Sequence, residues 1–477
     1  MKSKTYLYMR INGIYFLVFI LLIAFGCKSK SQPVSTTETA HGHPHYSTIG
    51  NISDYKLIFP SKVPDRIIVN LTEDPVHSFA VNWRTDQETT KGYVEIAKET
   101  HGPDFLVEGH IRRIVANSQI LEKGDTNAKE PLVNAAFHSA VVDSLEPGTI
   151  YVYRVGDGSV EDSFWSEWFQ IETPSADEND PFSFIYFGDA QNNVKSMWSR
   201  VIRKSYKMMP EVDFMLHAGD LINHSEANLE WGEWFHAGGY IHATVPSIMT
   251  PGNHEYDKTT LSTLWRPQFN LPRNGPIEAV METCYALDYQ NMKLISIDAI
   301  SFERDSISKQ AQVKWVDSVL ASNTKKWTAL TMHYPIYSTA EGRDNIVLRE
   351  ALKPLIDKYK VDLVLQGHDH TYARGYDQNK GQGLTVVEDA GTIYAVSVSG
   401  PKMYTSQDQD WMIKRGEYTQ LFQIITVTKD TLKYGSYTPL GGLYDAFDLI
   451  KDKNGKKKLI NRDADIPLRL KKDFNKQ

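Results

Sequence analysis

Five apolar runs between residues 182 and 365 of this 477-residue chain each break into a short polar motif of one chemical kind. Phe182 to Phe187 runs into Gly188-Asp189-Ala190-Gln191, and Val212 to Leu216 leads to Gly219-Asp220-Leu221-Ile222-Asn223. Pro246 to Met249 is followed by Gly252-Asn253-His254-Glu255, Trp327 to Met332 by His333-Tyr334-Pro335, and Val361 to Leu365 by Gly367-His368-Asp369-His370. Short apolar runs bounded by turn residues read as buried strands. Between them, Val313, Val316, Val319 and Leu320, and later Val347, Leu348, Ala351, Leu352, Leu355 and Ile356, recur at helical spacing. Strands alternating with helices predict a layered α/β domain. Ligands in such folds bind beyond the carboxyl ends of the strands. Five separate stretches therefore deliver Asp, Asn and His to one edge.

Oxygen and imidazole donors together suit Mn, Fe, Zn, Co or Ni better than a thiolate-loving metal. Their number exceeds what one tetrahedral ion uses, which predicts two ions bridged by a carboxylate. Such a pair clamps a phosphoryl group and lowers the pKa of bound water. Glycine stands ahead of the key residue in four of the five blocks, where a crowded site needs a sharp exit from the strand.

The first half of the chain is patterned differently. Phe79, Val81 and Trp83 alternate on one face, as do Tyr151, Tyr153 and Val155 after Pro147-Gly148. Trp165, Trp168 and Phe169 close the segment. Period-two patterning with turn signals predicts an all-β, immunoglobulin-like sandwich over residues 63–174. Leu145-Glu146-Pro147-Gly148-Thr149-Ile150-Tyr151 looks like the tyrosine corner of fibronectin type III-like sandwiches. Gly102 to Pro131 is less regular and reads as long loops or an insertion. A polar linker from Pro174 to Pro181 leads to the α/β domain, placed at 181–445, with a return to strands and turns from about Ile424, and a C-terminal tail at 446–477. Within that tail the charged stretch Lys451 to Lys458 is expected at the surface. Trp231, Trp234 and Phe235, at helical spacing, read as core.

The net charge is -7, from 52 basic and 59 acidic residues. That argues against sequence-independent nucleic-acid binding, which needs basic patches, and leaves a small phosphorylated substrate open. Lys2, Lys4 and Arg10 precede an apolar run from Ile14 to Phe25, then Gly26 and Cys27. The run has the length of a signal-peptide core and is short for a membrane span. Residues 1–27 resemble a bacterial lipoprotein signal, which implies cleavage before Cys27 and acylation of its thiol and amine. Lys28 after the cysteine favours the outer membrane, so the expected location is the cell envelope, periplasm or outer membrane, with a lipid anchor. Residues 28–62 read as a solvated tether, including His41, His43 and His45. The second cysteine, Cys284, has no partner for a disulfide and reads as a small buried hydrophobe in a strand.

The five blocks, in this order, resemble those of the calcineurin-like metallophosphoesterases. With a β-sandwich in front, the chain from about Pro64 to about Leu443 resembles the purple acid phosphatase branch. The specific part is Gly-Asn-His-Glu followed by Gly-His-x-His, with both Gly-Asp blocks upstream. The resemblance implies an α/β catalytic domain, a layered β-sandwich flanked by helices, behind the all-β domain. It implies an acid phosphatase-like phosphomonoesterase, with a dinuclear centre of divalent or mixed-valence Fe, Zn or Mn and a metal-bound hydroxide as nucleophile. Asp189 and His370 would hold the first metal, Asp220 would bridge, and Asn253, His333 and His368 would hold the second. His254 would bond the phosphate from outside the metal sphere and protonate the leaving oxygen. Glu255 and Asp369 would orient the histidines. Two positions depart from the pattern. Asn223 stands where purple acid phosphatases carry a tyrosine that ligates ferric iron, so the purple colour should be absent. Gln191 stands where other metallophosphoesterases carry the histidine of Asp-x-His. Each is open between metal ligand and hydrogen-bond partner of bound water or substrate. Arg343, Arg374, Tyr337 and Tyr372 are candidate partners of phosphate oxygens, and His224 is either such a partner or a loop residue. The same metals serve a phosphodiesterase equally well. Gln191 and Asn223 are the features that favour a surface lipoprotein binding without turnover.

Overall fold

The computed structural model describes residues 55–107, 109–124, 130–160, 164–376, 385–463 and 465–474. The expected signal, Cys27 and His41, His43 and His45 lie outside them. The alternation in the first half of the chain becomes two facing sheets. Strands Arg112–Val115, Tyr93–Lys98, Ile150–Gly156 and Phe169–Glu172 form one, and Asp65–Leu71, Phe79–Asp86, Val133–Val142 and Asn117–Lys123 form the other. Phe79, Val81 and Trp83 meet Val94, Ile96, Tyr153 and Val155 in the core between them. The Tyr151 hydroxyl accepts a hydrogen bond from the Glu146 N–H at 2.8 Å, pinning the corner as its sequence predicts. The stretch from Gly102 to Pro131 is not loop alone. It contains Arg112–Val115 and Asn117–Lys123, outer strands of their sheets whose residues are largely half-exposed or exposed, so little apolar alternation marks them.

The second of these sheets does not end at the sandwich. Asp65–Leu71 pairs in parallel with Ser247–Met249, Asn70 opposite Ser247, and the Asn70 amide donates to the Ser247 carbonyl at 3.0 Å. One 12-stranded sheet thus runs from the sandwich into the α/β region. There Phe182–Phe187, Phe214–His217 and Ser247–Met249 lie parallel. A seven-stranded sheet carries Met292–Ile297, Trp327–Met332 and Leu363–Gln366, also parallel.

Period-two alternation in the smaller sheet assigns its two faces. Leu294, Ala329, Leu363 and Leu365 join Phe184 and Phe214 of the larger sheet in one core. Ile295, Leu330 and Val364 instead meet Val316 and Leu320 of helix Ser306–Ala321 and Leu348, Leu352 and Ile356 of helix Ile346–Lys358. Two sheets therefore face each other, with helices outside. Trp231, Trp234 and Phe235 are buried in helix Asn228–Gly238, as expected of core. Cys284 is buried just ahead of strand Tyr285–Tyr289, where burial pushes its thiol far up.

The C-terminal stretch corrects an expectation. Leu443–Lys451 and Lys457–Asn461 are strands of the 12-stranded sheet, in keeping with the strands and turns read from about Ile424, but the charged stretch they flank is not all at the surface. Lys451 and Lys457 are buried, not surface residues, and both face Asp362, at 2.6 and 3.5 Å. A buried carboxylate distant in sequence supplies the counter-charge that admits two lysines to the interior.

Candidate metal centre

All five predicted strand ends meet at one edge, three delivered by the larger sheet and two by the smaller. One ligand atom each from Asp220, His333 and His368 lie within 4.8 Å of one another, and the same holds for Asp189, Asp220 and His370. Asp220 belongs to both groups. His333 Nε2 lies 3.2 Å from Asp220 Oδ2, 3.2 Å from Asn253 Oδ1 and 3.2 Å from His368 Nδ1. His370 Nε2 lies 3.7 Å from Asp189 Oδ1. Donors about 2.0–2.2 Å from a shared ion stand roughly 3 Å apart, so these separations suit coordination. Asp189 Oδ1 and Gln191 Oε1 are buried without a hydrogen-bond partner among the described residues. Orphaned buried polar atoms are rare and need a reason; a cation beside them provides one.

The electrostatics agree. Burial pushes Asp189 up to about 7, against the pull of His333. Burial acts on Asp220 in the same direction, yet His333 and His254 hold it well below the carboxylate range. Burial works against the proton on His333, but Asp220 and then Asp189 outweigh it and raise His333 to about 9. Burial drives His368 and His370 well down, so they remain neutral donors. The proton that His333 holds stands where a metal ion would compete for the same carboxylates.

The backbone at these positions is unusual. Asp220, His368 and His370 have φ of 52°, 76° and 46°, left-handed values uncommon for non-glycine residues and concentrated at functional sites. Gly219 has φ 86°, and a Cβ on Gly252 would collide with Asp220 Oδ1. The Glu255 carboxylate accepts from the N–H groups of Asp220, Leu221 and Gly252 at 2.9, 2.8 and 2.6 Å. Asp369 accepts from the N–H of Thr339 at 2.5 Å and from Arg343 at 3.3 Å. The sequence places both carboxylates on histidines; instead each ties down loop backbone around the ligands. The histidines rest on carbonyls instead. His333 Nδ1 donates to Ala218 O at 2.8 Å and His254 Nδ1 to Asn223 O at 2.6 Å. The His254 backbone N–H also donates to Asp220 Oδ1 at 2.9 Å, and its Nε2 lies 3.9 Å from Asp220 Oδ2.

Gln191 lies inside the cluster, its amide nitrogen donating to Asp220 Oδ2 at 2.6 Å and 3.2 Å from His370 Nε2. The Asn223 side-chain oxygen accepts from Asn192 at 3.2 Å. His224 pairs with Glu230 at 2.7 Å. Arg343 donates to His368 O at 3.1 Å, which keeps it beside the site. Arg374 and Tyr372 do not face phosphate. Both are wholly buried on Asp445, the guanidinium through Nε at 2.9 Å and Nη2 at 2.5 Å, the phenol at 2.5 Å. The partner that claims them comes from the C-terminal strands, which the motif gives no hint of. Tyr337 packs against Tyr394 and Trp411 at 5.0 and 5.5 Å. Sequence reasoning passed over Tyr334, whose ring lies 4.4 Å from that of His368, and Tyr404, 4.8 Å from that of His370. Tyr334 was findable as the neighbour of His333, whereas no motif marks Tyr404.

Both parts of the chain are similar to known proteins. The family described as calcineurin-like phosphoesterase matches residues 183–372, and the purple acid phosphatase N-terminal domain matches residues 64–173. The chain is 25% identical over 358 residues to probable inactive purple acid phosphatase 24 of Arabidopsis thaliana, covering 66% of this chain and 58% of that one. It is 26% identical over 257 residues to purple acid phosphatase 1 of Ipomoea batatas, covering 50% and 52%. The chain thus spans a little over half the length of these two plant relatives. It is 24% identical over 341 residues to acid phosphatase type 7 of Mus musculus, covering 66% and 72%. Its fold is that of a purple acid phosphatase from yellow lupin (Lupinus luteus), with TM-score 0.67 at 19% identity over 83% of this chain and 75% of that one. The chain carries a purple acid phosphatase N-terminal domain followed by a calcineurin-like phosphoesterase domain.

Proposed function

We propose that this chain is a metal-dependent phosphoric ester hydrolase acting on small phosphomonoesters with two metal ions. The observation that carries the reading is the membership of Asp220 in both ligand groups. In this reading Asp189 and His370 hold one ion, Asn253, His333 and His368 hold the other, and Asp220 bridges. The donor set suits Fe, Zn or Mn. When bound, such ions supply Lewis-acid charge and activate water. The protein's own groups do the rest. His254 Nδ1–H is committed to the Asn223 carbonyl, which leaves Nε2 to carry the proton for the leaving oxygen. Asp220 receives the His254 N–H, so the bridging carboxylate and the acid keep a fixed relation. We also assign the protein to the cell envelope, held by acyl chains on Cys27, because of the signal-like residues before that cysteine.

The test is hydrolysis of p-nitrophenyl phosphate and bis-p-nitrophenyl phosphate by the full chain, stripped of metal and reloaded with Mn, Zn or Fe. Metal-dependent turnover, faster on the monoester and abolished together with metal binding in Asp220→Ala, is the expected result. A folded protein that binds no metal and turns over neither ester would sink the proposal.

A further inference from the structure

Two loops close over the metal-ligand cluster, and both are laced to the ligands. Ser399 and Gly400 donate their N–H groups to Asp189 O at 3.1 and 2.5 Å, and Tyr404 donates its N–H to His370 O at 3.1 Å. On the other side Arg343 holds His368 O at 3.1 Å. The loops are also bound to each other, Glu341 N–H to Thr405 O at 3.1 Å and Gln407 N–H to Thr339 O at 2.9 Å.

The frame presents positive charge. The Arg343 guanidinium lies over the Tyr404 ring, 4.8 Å from its centre, and the Lys402 ammonium lies 5.6 Å from the same centre. The ring face attracts cations, and the ring lies 4.8 Å, centre to centre, from that of His370. Among the described residues no carboxylate lies within ion-pair distance of Lys402, which is only half-buried. Arg343 is about a third exposed (34%) and shares Asp369 with two backbone N–H groups.

We propose that Lys402 and Arg343, held by Tyr404, form a subsite beside the metal cluster that receives a second anionic group carried on the organic arm of the substrate. The preferred substrates are phosphate esters whose arm bears a carboxylate or a further phosphate. This rests on the phosphoesterase reading for its first phosphate, which the cluster itself takes. A half-exposed cation with no carboxylate partner among the described residues contributes to binding when an anion arrives in charge-assisted contact.

The test is calorimetric binding of phenylphosphonate, 4-carboxyphenylphosphonate and benzene-1,4-bisphosphonate to the manganese-loaded full chain. Wild type, Lys402→Gln and Lys402→Arg are compared, with hydrolysis of p-nitrophenyl phosphate measured in parallel. The doubly anionic ligands should bind about tenfold more tightly than phenylphosphonate. That ratio should collapse in Lys402→Gln and return in Lys402→Arg, and whichever ligand keeps the larger ratio identifies the second anion. Equal affinities in wild type, or a ratio that survives Lys402→Gln, would overturn the subsite even if the protein hydrolyses esters. A preference that behaves as expected in a protein that hydrolyses nothing would keep the subsite and overturn the hydrolase.

Discussion

His254 shows how one side chain is prepared for its task. Its ring is fixed through Nδ1 on a carbonyl and its backbone through Asp220, so only Nε2 is free to exchange a proton with a substrate. His254→Asn should lower kcat about 100-fold, with kcat/KM falling in step, since a general acid acts in the transition state. Steady-state kinetics on p-nitrophenyl phosphate checks this, and an unchanged kcat would remove His254 from the chemistry. Glu255 works one layer back. Its carboxylate is the acceptor for three buried N–H groups on the two loops that carry Asp220 and Asn253. Glu255→Ala leaves those donors unpaired and should cost about 3 kcal/mol or more. Metal affinity should drop at least about tenfold as the loops loosen. Urea denaturation and metal titration read the two effects separately.

At the scale of elements, each ligand is an end effect of a strand, and the ends are held by bonds that cross between strands. The three central strands of the larger sheet and two of the smaller were legible because apolar runs broke into glycine and a polar residue. The polar strand Arg112–Val115 was not, because a half-exposed edge erases the alternation that reveals a strand. His138, on Val133–Val142, ties three neighbouring strands. Its Nε2 bonds Thr85 Oγ1 at 2.7 Å and its Nδ1 bonds Ser118 Oγ at 2.7 Å. Burial lowers it to about 4 from 6.5. The unfolded chain therefore takes up a proton near 6.5 that the folded chain refuses until about 4. The stability this neutral histidine provides is intact above 6.5 and lost as pH falls toward 4, by about 3 kcal/mol. Buried His217 and His242, both depressed by burial, act with the same sign. Asp213, raised by burial to about 6, acts oppositely, because the folded chain takes its proton first. Denaturation of wild type and His138→Gln across pH 4–7 isolates the His138 share, and the variant should lose stability less steeply on acidification. Parallel slopes would show that His138 is not protonation-linked to folding.

The whole molecule is joined by a sheet rather than by a linker. Asn70 pairs with Ser247 across the boundary, and the Tyr153 hydroxyl donates to Ala243 O at 2.6 Å. The Asn82 amide donates to Pro267 O at 3.1 Å. The sandwich is thus part of the support of the strand that carries Asn253 and His254. Removing residues 63–174 would expose the edge of Ser247–Met249, and exposed edges pair with other chains. The shortened protein should aggregate, seen by light scattering. The intact chain should unfold in one calorimetric transition, since the two halves share a sheet. Two well-separated transitions would show that the sandwich is a passenger.

The sequence by itself determined the kind of layers and the chemistry of the site. Local pattern decides strand or helix, and the residue types at five strand ends decide which ligands they offer. The tyrosine corner and the buried Trp231 and Trp234 were legible for the same reason, since each depends on neighbours in the chain. Tertiary structure alone decided what depends on residues far apart in sequence. It brought Asp445 to Arg374 and Asp362 to Lys451 and Lys457. It set Glu255 and Asp369 on loop backbones rather than on histidines, and it placed Lys402 and Tyr404 beside His370. Counter-charges and hydrogen-bond partners are chosen by proximity in space, and proximity exists only once the sheets have closed on each other.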